Sequence, residues 1–349
     1  MKKLNINGLI PKKPIVQGGM AVGVSLDNLA SAVANAGGIG VIGTAGIPLV
    51  KNYSLKKYRE SSIKGLKEVI IKAKEKTKGI LGVNIMVALT NYRDMVLASL
   101  KEKIDVIFSG AGLPLDLPSY LYEGCKTKLV PIVSSAKAAR LILKRWVSKY
   151  DYFPDAFVLE GPKAGGHLGY KPEQIFSEKY QLSETIPQLK EFTDEVKEKY
   201  NRDIPIIAGG SIRTSKDVEN VFALGASGIQ VGTPFIVTEE CDVNINFKKA
   251  IINAKESDIT IIKSPVGLPG RALKNSFVES VERGEKKPFI CPFHCLKTCN
   301  FKEAPYCIAN ALVNAARGDL DNGFVFTGTN IENINRIKTV QEVIGELIG

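Results

Sequence analysis

The sequence predicts a mixed α/β chain built as a (β/α)8 TIM barrel with a C-terminal helical insertion. Three observations carry that expectation. Short β-branched runs recur along the first two thirds of the chain, and each breaks into Gly, Asn, Ser or Thr. Each run is followed by a segment with helical apolar spacing, so strand and helix alternate. The runs are also nearly continuous in apolar character, as strands covered on both faces must be, whereas strands with one wet face alternate.

Taken in order, the runs fall at 14–16, 39–42, 80–85, 106–108, 129–133, 156–159, 205–208 and 228–231, eight in all. Eight buried-type strands alternating with helices predict a closed barrel rather than an open sheet, and in that fold the chemistry sits where the strands end. Between them, stretches such as 64–78 place Leu66, Ile70 and Ala73, with Ile63 just before, on one stripe and lysines on the other face, the pattern of a helix lying on a sheet. The expected organisation is residues 1–236 as barrel, 237–306 as a helical insertion over its mouth, and 307–349 as helices, near 308–316 and 340–348, that pack back on the barrel.

With 349 residues and 44% apolar content, the chain can bury a large core. Its net charge of +11 would suit acidic or phosphorylated ligands, but the lysines are spread along amphipathic stretches and no basic block is interleaved with aromatics, so no nucleic-acid partner is expected. Asn5, Asn7, Gly8 and Pro11 interrupt any apolar leader, and no apolar stretch approaches the ~20 residues of a membrane span, so a cytoplasmic protein with no membrane partner is expected.

Residues 158–170 end an apolar run in Gly165-Gly166-His167, with one of only two histidines in the chain. Glycines let backbone approach a ligand, and an imidazole suits proton transfer near neutrality. A loop histidine packed against its neighbours is the ordinary alternative; the glycine pair turns the reading towards a catalytic His167. Gly209-Gly210-Ser211 after the seventh run and Gly232-Thr233 after the eighth stand where barrels commonly bind phosphate on backbone N–H groups, with Ser211 as a candidate helix cap. Gly38, Gly40 and Gly43 match G-x-G-x-x-G, but they follow a helical stretch and run into a strand, the reverse of a dinucleotide site. Lys163 and Arg271 are the charges to watch near the mouth, each able to meet a nitro group, a carboxylate or a phosphate, with an exposed charge on a loop as the ordinary reading of either.

Cys291, Cys295, Cys299 and Cys307 lie within seventeen positions, with His294 among them. On a helix the first three would share a face, and Cys307 could return as a fourth ligand to an iron-sulfur cluster or a zinc ion; packed reduced thiols are the alternative. Cys125 and Cys241 read as isolated small apolar residues.

Gln17-Gly-Gly-Met20, Gly82-Val-Asn-Ile-Met86, Gly110-Ala-Gly112, Glu160-Gly161, Gly165-Gly-His167, Ala208-Gly-Gly210 and Gln230-Val-Gly-Thr233 stand in the order found in the nitronate monooxygenase (2-nitropropane dioxygenase) family. Nearly the whole chain resembles that family and its sister group, the FMN-dependent enoyl-acyl-carrier-protein reductases. The resemblance implies FMN as cofactor, with Gly18, Gly19, Met20 and Asn84 at the flavin ring, and Gly165 and Gly166 bringing backbone close to it. It places the phosphate on Gly209, Gly210, Gly232 and Thr233, and His167 beside the substrate as the acid–base residue. The substrate it implies is a small nitronate, oxidised by molecular oxygen, or alternatively an enoyl thioester reduced by NAD(P)H; a homodimer is the assembly left open. Leu168 after the histidine looks reductase-like, whereas Leu113 after Gly-Ala-Gly departs from the reductases, and the cysteine-bearing region favours the nitronate side.

Overall fold

The computed structural model describes residues 3–349 apart from 286–288, 290, 292–293 and 330. Eight parallel strands close into a barrel: β1 (Ile15–Gln17), β2 (Ile39–Gly43), β3 (Ile80–Met86), β4 (Val106–Gly110), β5 (Lys128–Val133), β6 (Phe157–Glu160), β8 (Ile206–Gly209) and β9 (Gly228–Val231). β9 pairs back onto β1 through Ile15↔Ile229 and Gln17↔Val231, which closes the ring. All eight coincide with the expected runs to within one or two residues at each end.

The strands alternate between two cores. Val16, Ile39, Val41, Val106, Phe108, Val130, Val158 and Ile207 point inward and fill the barrel, with Leu4 and Ile6 joining them from the N-terminal segment. Their neighbours Ile42, Leu81, Ile107, Phe157, Leu159, Ile206 and Ile229 point outward against the helices. That period of two, with both faces apolar, is why the runs read as continuous. Gly40 and Gly43 belong to this packing: a Cβ on Gly40 would stand 1.8 Å from the Ala30 carbonyl oxygen, and one on Gly43 2.3 Å from that of Met20. Their spacing therefore serves close backbone approach, as expected, and no dinucleotide turn.

Between the strands run α1 (Asp27–Asn35), α2 (Ile47–Val50), α3 (Tyr58–Lys76), α4 (Tyr92–Lys101), α5 (Ala136–Tyr150), α6 (Leu182–Tyr200), α7 (Ser215–Ala223) and α8 (Thr233–Ile236). The cap of α7 is Thr214, whose hydroxyl accepts from the Asp217 N–H, so Ser211 is not the helix cap expected of it.

After the barrel the chain departs from a helical insertion. It forms α9 (Ile245–Ile252) and α10 (Ser276–Glu282), but between them lie two antiparallel strands, β10 (Ile259–Lys263) and β11 (Pro269–Leu273). The β-branched Ile-Thr-Ile-Ile stretch favours extended backbone, and Gly267, at φ +89°, makes the return turn. β11 then pairs with β7 (Gly166–His167), so a three-stranded sheet holds the histidine loop. α11 (Ile308–Ala316) and α12 (Val340–Ile348) follow, the latter packing against α1, α7 and α8. No helix among the described residues is long and apolar enough to cross a membrane.

Candidate active site

A cavity of about 300 Å³ opens at the C-terminal ends of the barrel strands. Gly18, Gly19 and Met20 after β1, Asn84 on β3, Gly165, Gly166 and His167 after β6, Gly210 after β8, and Gly232 and Thr233 after β9 all line it. Only Gly209 among the expected FMN-binding residues does not. It is the last residue of β8, paired with Glu160 and Gln230 inside the barrel wall, so the backbone at Gly210 and Ser211 faces the cavity in its place.

Local constraints put these groups there. Gln17 is fully buried and accepts the Val41 N–H on its side-chain oxygen at 2.9 Å, which locks β1 to β2 just before the turn. A Cβ on Gly19 would lie 2.3 Å from the Asn84 Cβ, so only glycine lets that turn lie against β3. Gly210 and Ser211 have φ of +114° and +59°, a kinked backbone of the kind that turns successive N–H groups toward an anion. The Ser211 hydroxyl shares a 2.7 Å hydrogen bond with Thr329, and the Thr233 hydroxyl accepts the Gly328 N–H at 3.0 Å.

His167 is held on three sides. Its backbone pairs with Gly270, its Nε2 lies 2.7 Å from the Ser264 Oγ, and Phe326 packs edge-on with ring centroids 5.0 Å apart. Burial depresses its pKa from 6.5 to about 4, so the ring is neutral at pH 7. Burial acts oppositely on Glu160, raising its carboxyl from 4.5 to about 7. Asn84, Glu160 and Gln230 line the cavity, and their side chains make no hydrogen bond to any described residue.

The nitronate monooxygenase family model matches residues 3–349, which is nearly the whole chain. The chain belongs to the nitronate monooxygenase family. It is therefore a flavin-dependent oxidoreductase by family, and that family is generally FMN-dependent. A probable nitronate monooxygenase of Staphylococcus aureus (strain Newman) is 27% identical over 304 residues, 78% of each chain. Among solved structures, FabK from Thermotoga maritima superposes with a TM-score of 0.74 at 27% identity, covering 97% of this chain and 92% of that one. A nitroalkane oxidase from Streptomyces ansochromogenes has a TM-score of 0.71 at 20% identity, covering 96% and 94%, and shows the shared fold.

In this nitronate monooxygenase family member the two charges expected at the mouth lie elsewhere. Arg271 is buried and donates to the carbonyls of Pro162 and Ala164, so it braces the histidine loop from behind. Lys163 is exposed and does not line the cavity.

The cysteine region also differs from expectation. Residues 294–300 are turn and irregular backbone, Pro292 and Phe293 lie outside the described residues, and His294 has φ +43°, so Cys291, Cys295 and Cys299 do not share a helix face. All six cysteines are free. Cys291, Cys295, Cys299, Cys307 and His294 do line one small second cavity, but among the described residues no group of three or more His, Cys, Asp or Glu side chains is disposed to hold a metal ion. The iron-sulfur or zinc option is thus unsupported. Burial and the neighbouring sulfurs push the Cys295 thiol up to about 12, and Cys299 and Cys307 also upward, so these groups are protonated thiols.

Several lining residues escaped the sequence reading. Phe326, Thr327, Gly328 and Thr329 return from the far C-terminal part, and Tyr58 arrives from the start of α3. The signal for the first group was a Thr-Gly-Thr step directly after the apolar run Phe324-Val325-Phe326, which resembles the strand-end turn at Gly232-Thr233.

Proposed function

We propose that this protein uses FMN to oxidise small alkyl nitronates with molecular oxygen. The observation that carries the reading is a single neutral histidine in a cavity whose wall is largely apolar, with Val22, Leu89, Leu296 and Leu312 among its lining. The residues present fit FMN. Gly166 has nothing within 4 Å of where a Cβ would stand, and Gly232 only the Met20 Sδ at 3.6 Å, so both open on space that a side chain would fill. Gly18, Gly19, Met20 and Asn84 would hold the ring, Gly165 and Gly166 would lie against it, and Gly210, Ser211, Gly232 and Thr233 would surround the phosphate. Bound there, FMN would supply the electron-transfer chemistry that no amino-acid side chain provides.

The protein's own part is binding, orientation and one proton-handling group. A ring with a pKa near 4 is a weak base for a neutral nitroalkane. A nitronate needs no deprotonation, and its negative charge would raise the pKa of the adjacent imidazole and strengthen their contact. Leu89, Leu296 and Leu312 would take the alkyl group and exclude water.

The second reading, reduction of an enoyl thioester, draws on the likeness to FabK, which is as close as that to the probable nitronate monooxygenase. His167 would then give a proton to the substrate carbon.

Oxygen uptake with propyl nitronate tests the proposal. FMN-loaded protein is expected to consume oxygen, and His167→Ala to retain FMN while losing at least about tenfold in kcat/KM, as loss of one hydrogen bond to a charged substrate does. No oxygen uptake above the free-flavin background would sink it.

A further inference from the structure

We propose that Ser264 is a positioning residue that fixes His167 in the tautomer carrying its proton on Nδ1, so that the ring presents a donor to an anionic substrate. This deepens the reading of His167 as the residue that meets the substrate, and rests on it.

The argument is a count of hydrogen-bonding capacity. Ser264 follows β10 at the turn into β11 and is 4% exposed. Its hydroxyl oxygen accepts the Val266 N–H at 3.2 Å and meets His167 Nε2 at 2.7 Å, and it has no other partner among the described residues. A hydroxyl owns one hydrogen and two lone pairs. If Nε2–H donated to Ser264, both lone pairs would be filled and the hydroxyl hydrogen would be buried without an acceptor, which is costly. If Ser264 donates to Nε2, its hydrogen is used, one lone pair is filled by Val266, and only the second lone pair goes spare. The second arrangement is the cheaper one. Nε2 is then an acceptor, and a neutral ring must carry its proton on Nδ1.

Nδ1 has the opening this needs. It makes no hydrogen bond to a described residue, and His167 lines the cavity whereas Ser264 does not. The turn that carries Ser264 is itself fastened, by Gly267 N–H to the Ser264 carbonyl at 2.9 Å and by the Thr298 hydroxyl to the Val266 carbonyl at 2.6 Å. Histidine and serine are thus carried on one small sheet, β10–β11–β7, and keep their geometry as a unit. The consequence is a preference for substrates that arrive as anions. A nitronate oxygen accepts from Nδ1–H, whereas a neutral nitroalkane finds no lone pair there to take its proton.

With only two histidines in the chain, nitrogen NMR of the ¹⁵N-histidine-labelled, FMN-loaded protein reads the tautomer directly. His294→Asn assigns the signals. The expected spectrum at pH 7 has a protonated, pyrrole-type Nδ1 and a pyridine-type Nε2 for His167. Ser264→Ala should release the ring to the other tautomer and Ser264→Thr should restore the first. In parallel, Ser264→Ala should raise KM for propyl nitronate severalfold with a smaller change in kcat. A protonated Nε2 in the parent protein, or identical His167 signals in the parent and Ser264→Ala, would overturn the assignment. Because the spectrum needs no turnover, the expected tautomer in a protein inactive on nitronates would sink the proposed function and leave this inference standing.

Discussion

At the scale of single residues, the cavity contains two groups that burial drives in opposite directions. The Glu160 carboxyl titrates at about 7 in the folded protein and 4.5 when free, so the folded state holds an extra proton between those values and stability falls as pH rises through that window. His167 titrates at about 4 when folded and 6.5 when free, so the unfolded state holds the extra proton and stability rises with pH from 4 to 6.5. From 4.5 to 6.5 the two slopes oppose each other and nearly cancel. Glu160→Gln therefore should expose the histidine slope, with the cofactor-free protein gaining up to about 1.4 kcal/mol per pH unit on going from pH 4.5 to 6.5. Urea midpoints across that range check it. A variant whose midpoint stays as flat as the parent's would show that these two groups are not the titrating pair. None of this was legible in the sequence, which places Glu160 in a strand-end motif but says nothing about its lack of a partner.

At the scale of elements, the barrel strands were legible because each is apolar on both faces and each stops at a residue that suits a turn. The His167 loop was legible for the same reason, since Gly165 and Gly166 stand where β6 ends. The strand pair β10–β11 is hard to read from the sequence because the Pro265–Gly270 stretch of prolines and glycines interrupts it with a turn; the β-branched run 259–262 carries the signal. The helical reading of the cysteine segment failed because it assumed a helix in order to bring three thiols to one face. The glycines at the strand ends give the sharpest element-scale prediction. Gly232 has φ −112°, outside the left-handed region that requires glycine, and a side chain there would project into the space assigned to FMN. Gly232→Val should fold with an unchanged thermal midpoint yet purify with less than about a tenth of the parent's FMN, a loss equivalent to about 1.4 kcal/mol or more of binding. Full flavin content in that variant would move the phosphate away from β9.

At the scale of the whole molecule, residues from both ends of the chain complete one site. The turn after β1 supplies Gly18, Gly19 and Met20, while Gly328 and Thr329 arrive from beyond α11 and hydrogen-bond to Thr233 and Ser211. Such long-range closure has no local sequence signature, because it depends on where the chain returns rather than on spacing. The barrel itself does have one, and it located the strand ends; Gly18, Gly19, Met20 and Asn84 came instead from the family resemblance, and Ala45, Gly46 and Ile132, which also line the cavity near strand ends, were not anticipated. The same fold serves related chemistries, so the choice between oxidising a nitronate and reducing a thioester lies in which molecule gives electrons to the flavin.

That question has a direct readout in the absorbance of the FMN-loaded protein under strict anaerobiosis, recorded after adding NADH or NADPH and then after propyl nitronate. The account predicts an oxidised spectrum that persists with either pyridine nucleotide and bleaches with the nitronate. Prompt bleaching by NADH or NADPH, with no response to the nitronate, would contradict it and identify a reductase.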